Sequence, residues 1–531
     1  MRPLVVALSG GALLYLALGL NDMWFLTGFA LVPILWLAYT NVPLWQLIVA
    51  AVSVWLAGQI YAFQCYASVS PLLILSGLLP LTIAFPLALV FSRIAQRRAS
   101  ALATLVAFPA CWTAFEFLYG LVAPNGSYGS LAYSQMSAPL LIQSASLFGM
   151  YSITFLICLF ANVLAMALQP SLRSSRSLAF GLGICALAVL FGWARLSQPR
   201  PGGLTVGAFV AAGAMLTAYR SDSLDSAVNL STAYANAIRQ AADKGVRFAV
   251  TSEGGIQARR EWRDSILAPL LAVTQQTGVQ IVAGVGEVKP PADLAFALQP
   301  NRAARVYAKR HLVPFLETEL TPGHSSGWLG DGRAMEICKD MDFPRTILAD
   351  AQYGIRLMGV PAGDFGKDAW LHARMAILRG VENGFAIVRA ANEGLLSASD
   401  AEGRVIAQKH SAASEMTVLI ASLPPGPGST LYGHIGDAFA WCSVIIFLGI
   451  GARCAWPRKQ STIPQRLDKL YASVNPRIPA AGLTSRATFG WWLPITRHGT
   501  SPFCSVACRF PALSTGASWR HSKAALPGPT G

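Results

Sequence analysis

Eight stretches of this chain stay almost free of charge for about the length of a membrane crossing. They lie at about 3–20, 24–40, 44–63, 71–92, 101–122, 139–168, 178–196 and 436–453. A hydrocarbon core takes roughly 20 apolar residues as a helix. Lipid offers the backbone no hydrogen-bond partner, so a spanning segment that is not a closed barrel must be helical. Composition agrees: 53% of residues are hydrophobic and 13% are charged, against about 25% charged in soluble domains. The first run is followed at once by others, so it reads as a retained anchor rather than a cleaved signal.

Basic residues set the orientation. Arg93, Arg97 and Arg98 follow the fourth run, Arg173 and Arg176 the sixth, and Arg453, Arg458 and Lys459 the eighth. If the chain crosses at every run, all of these fall on one side, and the positive-inside rule makes it the cytoplasm. The long segment between the seventh and eighth runs then faces outward. The net charge of +15 fits topology and anionic headgroups better than nucleic acid, because no basic-aromatic module is present. Glu116 lies inside the fifth run and reads as a partner for groups within the bundle. Of the nine cysteines, most sit in apolar runs. Cys504 and Cys508 have no second pair, and neither a metal site nor a disulfide framework is expected. No cofactor motif appears.

Between residues 204 and 422, strand-like and helical stretches alternate, which predicts an α/β domain with strands covered on both sides. Three polar residues fall just past predicted strand ends: Glu253, Lys309 and Cys338. That sheet edge is where α/β domains bind ligands. A thiol can attack a carbonyl, a carboxylate can take its proton, and an ammonium can stabilise the oxyanion.

Two motifs carry a resemblance. Lys309-Arg310-His311-Leu312-Val313-Pro314-Phe315 and Cys338-Lys339-Asp340-Met341-Asp342-Phe343-Pro344 resemble signatures of the carbon–nitrogen hydrolase (nitrilase) superfamily, with Glu253 preceding them in the expected order. With the apolar runs added, the chain resembles the apolipoprotein N-acyltransferase family, its membrane-bound branch. The loop from Asn125-Gly126 to Gln135 resembles that family's loop before span six. The resemblance implies a multi-span α-helical membrane bundle plus a nitrilase-like α-β-β-α sandwich. The corresponding division is a bundle of about seven spans over 1–197, an extracytoplasmic catalytic domain over 198–430, an eighth span over 431–454 and a basic, disordered cytoplasmic tail over 455–531.

The resemblance also implies a bacterial inner-membrane enzyme with its catalytic domain on the periplasmic side. Cys338 would carry an acyl chain from a phospholipid as a thioester. The acceptor would be the N-terminal amine of a diacylglyceryl apolipoprotein. Glu253 would be the base, Lys309 the oxyanion partner and Glu317 a supporting carboxylate, with membrane lipids as partners and no metal or cofactor.

Lys339-Asp340 replaces the family's usual Tyr-Glu and is nearer the soluble amidases. It therefore keeps open a membrane-tethered amidase. A non-enzymatic membrane binding protein is disfavoured because all three reactive residue types occur together. His372 and Arg374 read as a solvated or hydrogen-bonded helix face. Asp364 is a candidate to hold Lys309 or to position a loop, and Trp370 to rim a lipid pocket or fill core.

Overall fold

The computed structural model describes residues 1–199, 202–211, 223–412 and 415–456. The expected tail, with Trp491-Trp492-Leu493, Cys504 and Cys508, lies outside the described residues apart from Ala455 and Trp456.

Among the described residues, six helices are long and apolar enough to cross a membrane: Leu44–Tyr66, Pro71–Arg98, Ala101–Gly120, Met150–Leu168, Ser175–Leu196 and Ala438–Ala455. The first two apolar runs form the shorter helices Arg2–Ala17 and Leu26–Ala38. Sixteen residues rise only about 24 Å and thirteen about 20 Å.

The sixth run also differs from expectation. It breaks into Pro139–Ile142 and Ala145–Phe148 before the long helix Met150–Leu168. The break falls at Gly149, whose φ is +74°. A Cβ there would press into the ring of Tyr432, so only glycine fits this close, left-handed position.

Glu116 is buried in the bundle and accepts four hydrogen bonds. They come from Trp112 Nε1 (2.9 Å), Ser130 Oγ (2.6 Å), Leu131 N (3.0 Å) and Thr154 Oγ1 (2.8 Å). The carboxylate therefore joins the helix Ala101–Gly120 to the loop after it and to the next long helix, as the partner role expected of it.

The soluble strands are β1 (Leu204–Val210), β2 (Phe248–Thr251), β3 (Ile256–Ala258), β4 (Gln280–Val288), β5 (Pro291–Leu298), β6 (Arg305–Ala308) and β7 (Trp328–Gly330). They continue as β8 (Arg333–Met335), β9 (Leu357–Gly363), β10 (Ala386–Asn392), β11 (Leu395–Ser399), β12 (Val405–His410) and β13 (Thr417–Leu423). One sheet runs β13-β1-β2-β4-β5-β6, with β3 beside β4, and the other runs β12-β11-β10-β9-β8-β7.

Alternation along the strands sorts the layers. Val206, Ala208 and Val210 of β1 meet Val388, Ala390 and Leu396 of the other sheet in a shared apolar core. Phe209, on the opposite face of β1, packs with Leu230 and Ile238 of the helix Leu224–Asp243 and Leu270 of the helix Arg263–Thr277. Met358 and Val360 of β9 pack with Ile347 and Ala376 of the helices Pro344–Ala351 and Ala369–Asn383. The result is the expected α-β-β-α sandwich.

Leu371, Met375 and Leu378, on the other side of Ala369–Asn383, join the apolar core of the bundle. That helix seats the sandwich on the membrane helices.

Candidate active site

Each expected site residue leaves a strand end. Glu253 follows β2 by two residues, Lys309 follows β6 directly, and Cys338 opens a 3₁₀ turn, Cys338–Asp342, shortly after β8. The fold brings all three together with Glu317. Lys309 Nζ donates to Glu253 Oε1 (2.6 Å) and Glu317 Oε1 (2.6 Å), and stands 3.4 Å from Asp293 Oδ2. Glu317 is itself oriented by Val313 N, which donates to Oε2 (2.6 Å). Cys338 Sγ faces the carbonyl oxygen of Gly363 at 3.3 Å.

Cys338 has φ +40°. A non-glycine residue in that region costs on the order of 1–3 kcal/mol, so the turn must be held from outside. Asp340 is one anchor. Its Oδ1 accepts from Arg310 N (3.1 Å) and His311 N (2.8 Å), and its Oδ2 from Tyr307 Oη (2.7 Å) and Ile337 N (3.3 Å). Asp340 thus fastens the turn to the strand and loop that carry Lys309.

The second anchor comes from the bundle. Ser127 N (2.9 Å) and Ser127 Oγ (2.7 Å) both donate to the carbonyl oxygen of Asp342. Lys339 Nζ donates to Asn125 Oδ1 (3.1 Å) and lies 3.5 Å from Asp342 Oδ2. Gly126, at φ +55°, lies so close that a Cβ would collide with the Asp342 carbonyl.

Burial pushes the Cys338 thiol well above the usual range, and the charge of Glu253 pushes the same way against Lys309 and Arg389. The resting sulfur is therefore a thiol and needs a base. Burial raises the Glu253 carboxyl too, but Lys309 and hydrogen bonds from Asp293, Lys309 and Cys338 outweigh it, leaving it below the ordinary value. Burial works against the Lys309 ammonium, yet the surrounding carboxylates hold it well above the usual lysine range. An ionised carboxylate beside an un-ionised thiol is the resting state of a base-assisted nucleophile.

Other expectations resolve differently. Asp364 does not hold Lys309. It forms a buried bidentate pair with Arg389 (2.5 and 2.9 Å) and accepts from Leu395 N (3.2 Å). Of the two roles weighed for the His372 and Arg374 helix face, the hydrogen-bonded one holds: His372 Nε2 is 3.0 Å from Asp368 Oδ2, and Arg374 is 3.5 Å from Asp22. Trp370 Nε1 donates to Asp22 Oδ2 (2.9 Å).

A cavity of about 550 Å³ reaches Cys338, Glu253 and Lys309. Its far wall is apolar and belongs to the bundle: Leu73, Ile74 and Leu78. Lys339, His372 and Asn125 form its polar side.

Residues 10–164 match the model of the apolipoprotein N-acyltransferase N-terminal domain. That stretch is similar to the apolipoprotein N-acyltransferase family. The chain is a membrane protein that carries an α-β-β-α sandwich.

A relative of that name from Geobacter metallireducens is 26% identical over 384 residues, covering 64% of this chain and 72% of the relative. Another, from Methylococcus capsulatus, is 26% identical over 401 residues, covering 67% and 75%. Among solved structures, a mutant Nesterenkonia AN1 amidase of the nitrilase superfamily is similar at 19% identity and a TM-score of 0.37, covering 43% of this chain and 93% of the amidase.

The stretch matched by the apolipoprotein N-acyltransferase model includes Asn125, Gly126 and Ser127, the part of the bundle that touches the Cys338 turn. Sequence reasoning missed Asp293 and Arg389 in the site. A signal for Asp293 was available: a lone carboxylate in the apolar run Ala292-Asp293-Leu294-Ala295-Phe296.

Proposed function

We propose that this protein transfers an acyl chain from a membrane phospholipid, through a thioester on Cys338, to the N-terminal amine of a diacylglyceryl-cysteine on an apolipoprotein. The catalytic domain, residues 198–430, stands on the periplasmic face of the bacterial inner membrane. Spans within 1–197 and 431–454 anchor it. The observation that carries this reading is the shared cavity: one wall bears Cys338, Glu253 and Lys309, and the other is membrane helix.

In the first step Glu253 takes the thiol proton as sulfur attacks the ester carbonyl. The S–C bond forms, the ester C–O bond breaks, and the departing lysophospholipid oxygen receives the proton from Glu253. Lys309, held by Glu253 and Glu317, supplies positive charge for the oxyanion. In the second step the lipoprotein amine attacks the thioester. The C–N bond forms, the C–S bond breaks, and the amine's proton returns through Glu253 to the sulfur.

The test uses purified full-length protein and phospholipid carrying a labelled acyl chain. The expected result is a hydroxylamine-sensitive adduct on Cys338 that a diacylglyceryl lipopeptide discharges as an amide. No adduct on wild type, or an adduct that survives Cys338→Ala, defeats the reading. Release of free fatty acid with hydrolysis of a small amide would instead favour a membrane-tethered amidase.

A further inference from the structure

Lys309 has more negative charge around it than one ammonium can balance. Glu253, Asp293 and Glu317 converge on it, with carboxylate oxygens within 4.8 Å of one another. All three ionised would leave two uncompensated negative charges in a buried site, a costly arrangement in low dielectric.

Hydrogen bonding distinguishes the three. Glu253 accepts from Lys309, and Glu317 from Lys309 and Val313 N. Asp293 Oδ1 is buried and receives no donor, while carboxyl oxygens of Asp293 and Glu253 lie within 4.8 Å of each other. Two neighbouring buried carboxyls are disfavoured when both are ionised, and one proton between them relieves this. A proton on Asp293 satisfies the orphaned oxygen and gives Glu253 a second donor.

Resting on the acyl-transfer reading of this site, we propose that Asp293 is a positioning residue that stays protonated and donates to Glu253, holding the base ionised and aimed at the thiol. Lys309 N donates to the Asp293 carbonyl oxygen (3.0 Å), so the β5–β6 pairing fixes both residues together. Burial, Glu253 and Glu317 all push Asp293 well above the usual carboxyl range, against Lys309. The other titratable groups facing this corner are Cys338 from the nucleophile turn and Glu287 from β4, which is occupied by Arg260 and Arg263.

The test is the pH dependence of iodoacetamide alkylation at Cys338, read by peptide mass spectrometry on the full-length protein. This readout needs no acyl donor, so it is independent of the acyl-transfer test. Its acid limb reports ionisation of Glu253. If Asp293 is a neutral donor, Asp293→Leu removes a hydrogen bond to a charged group and moves the limb up by about one pH unit. Asp293→Asn keeps a weaker donor, so its limb falls between wild type and Asp293→Leu.

If Asp293 is ionised, either substitution removes a negative charge and moves the limb down. A downward move in either variant overturns the assignment, as does an Asp293→Leu limb that stays in place. Should Asp293→Leu fail to fold, the sign in Asp293→Asn decides alone. If the limb moves up but no lipid adduct ever forms, the proton assignment stands and the acyl-transfer reading fails.

Discussion

Lys309 Nζ and Glu253 Oε1 are 2.6 Å apart, so in the proposed reaction the positive charge offered to the oxyanion is held by the base itself. Glu253→Gln therefore affects both. It leaves no carboxylate to take the thiol proton, and it loosens the lysine. Thioester formation should fall by about 10²–10⁴-fold, the usual range for a lost general base. Lys309→Met should be at least as damaging, since it also strands the surrounding carboxyls. Single-turnover acylation followed by intact-mass measurement gives both numbers.

Arg389 and Asp364 form a buried pair beside the nucleophile. Arg389→Leu leaves Asp364 unpaired in a dry interior. Breaking such a pair costs about 3–5 kcal/mol, read as a fall in thermal midpoint in detergent. Replacing both residues together, Arg389→Leu with Asp364→Leu, should recover part of the loss. A single substitution with an unchanged midpoint would show that the pair is solvated in solution.

Glu116 should tolerate an amide better than a hydrocarbon. Glu116→Leu strands its four donors in the bundle, at roughly 1–3 kcal/mol per unsatisfied group. Glu116→Gln keeps an acceptor and should cost markedly less. Comparative melting of the two variants tests the order.

Stability should also depend on pH through His372 and Asp368. Burial lowers the imidazole, but Asp368 prevails and raises it above its ordinary value. Its contribution is full below about pH 6.5 and is lost as pH rises through the raised value. Burial raises Asp368, but His372 prevails and depresses it. That contribution is present above about pH 4 and is lost as pH falls through the depressed value. The difference in melting point between wild type and His372→Gln should therefore be greatest at about pH 5–6 and shrink toward pH 8. A difference that grows with pH would contradict the pairing.

Gly126→Ala should slow acylation without unfolding the protein. Its Cβ displaces the Asp342 carbonyl, and displacement of a reacting group by about 1 Å can cost on the order of 10²-fold. The check is the acylation rate set against an unchanged yield of folded protein.

The clustering of Glu253, Lys309 and Cys338 was readable because each follows a strand whose apolar pattern is plain, and because Lys309 and Cys338 sit in motifs with internal spacing. Alternation of strands and helices pointed to an α/β domain, and the sandwich arrangement came from the family resemblance. Asp293 was missed because β5, Pro291–Leu298, begins at a proline and reads as a loop leading to Ala304. Arg389 was given no role in the site, since its partner Asp364 lies just past the end of a different strand. The lengths of the first two helices were not legible for a different reason. Hydropathy counts apolar residues, whereas helix length is set where the chain turns, at Leu18 and Tyr39. The contact of Ser127 with Asp342 spans 215 residues of sequence, and no local pattern reports a partner that distant.

That contact limits how the molecule can be divided. Ser127 and Gly126 supply one side of the seat in which the strained Cys338 turn rests, and they belong to the bundle. A catalytic segment cut out as a soluble fragment would carry the thiol, the base and the lysine, yet leave behind part of the mould that shapes them. Anyone transplanting this domain onto another anchor would have to bring the loop as well. The membrane helices are thus part of the tool as well as its handle.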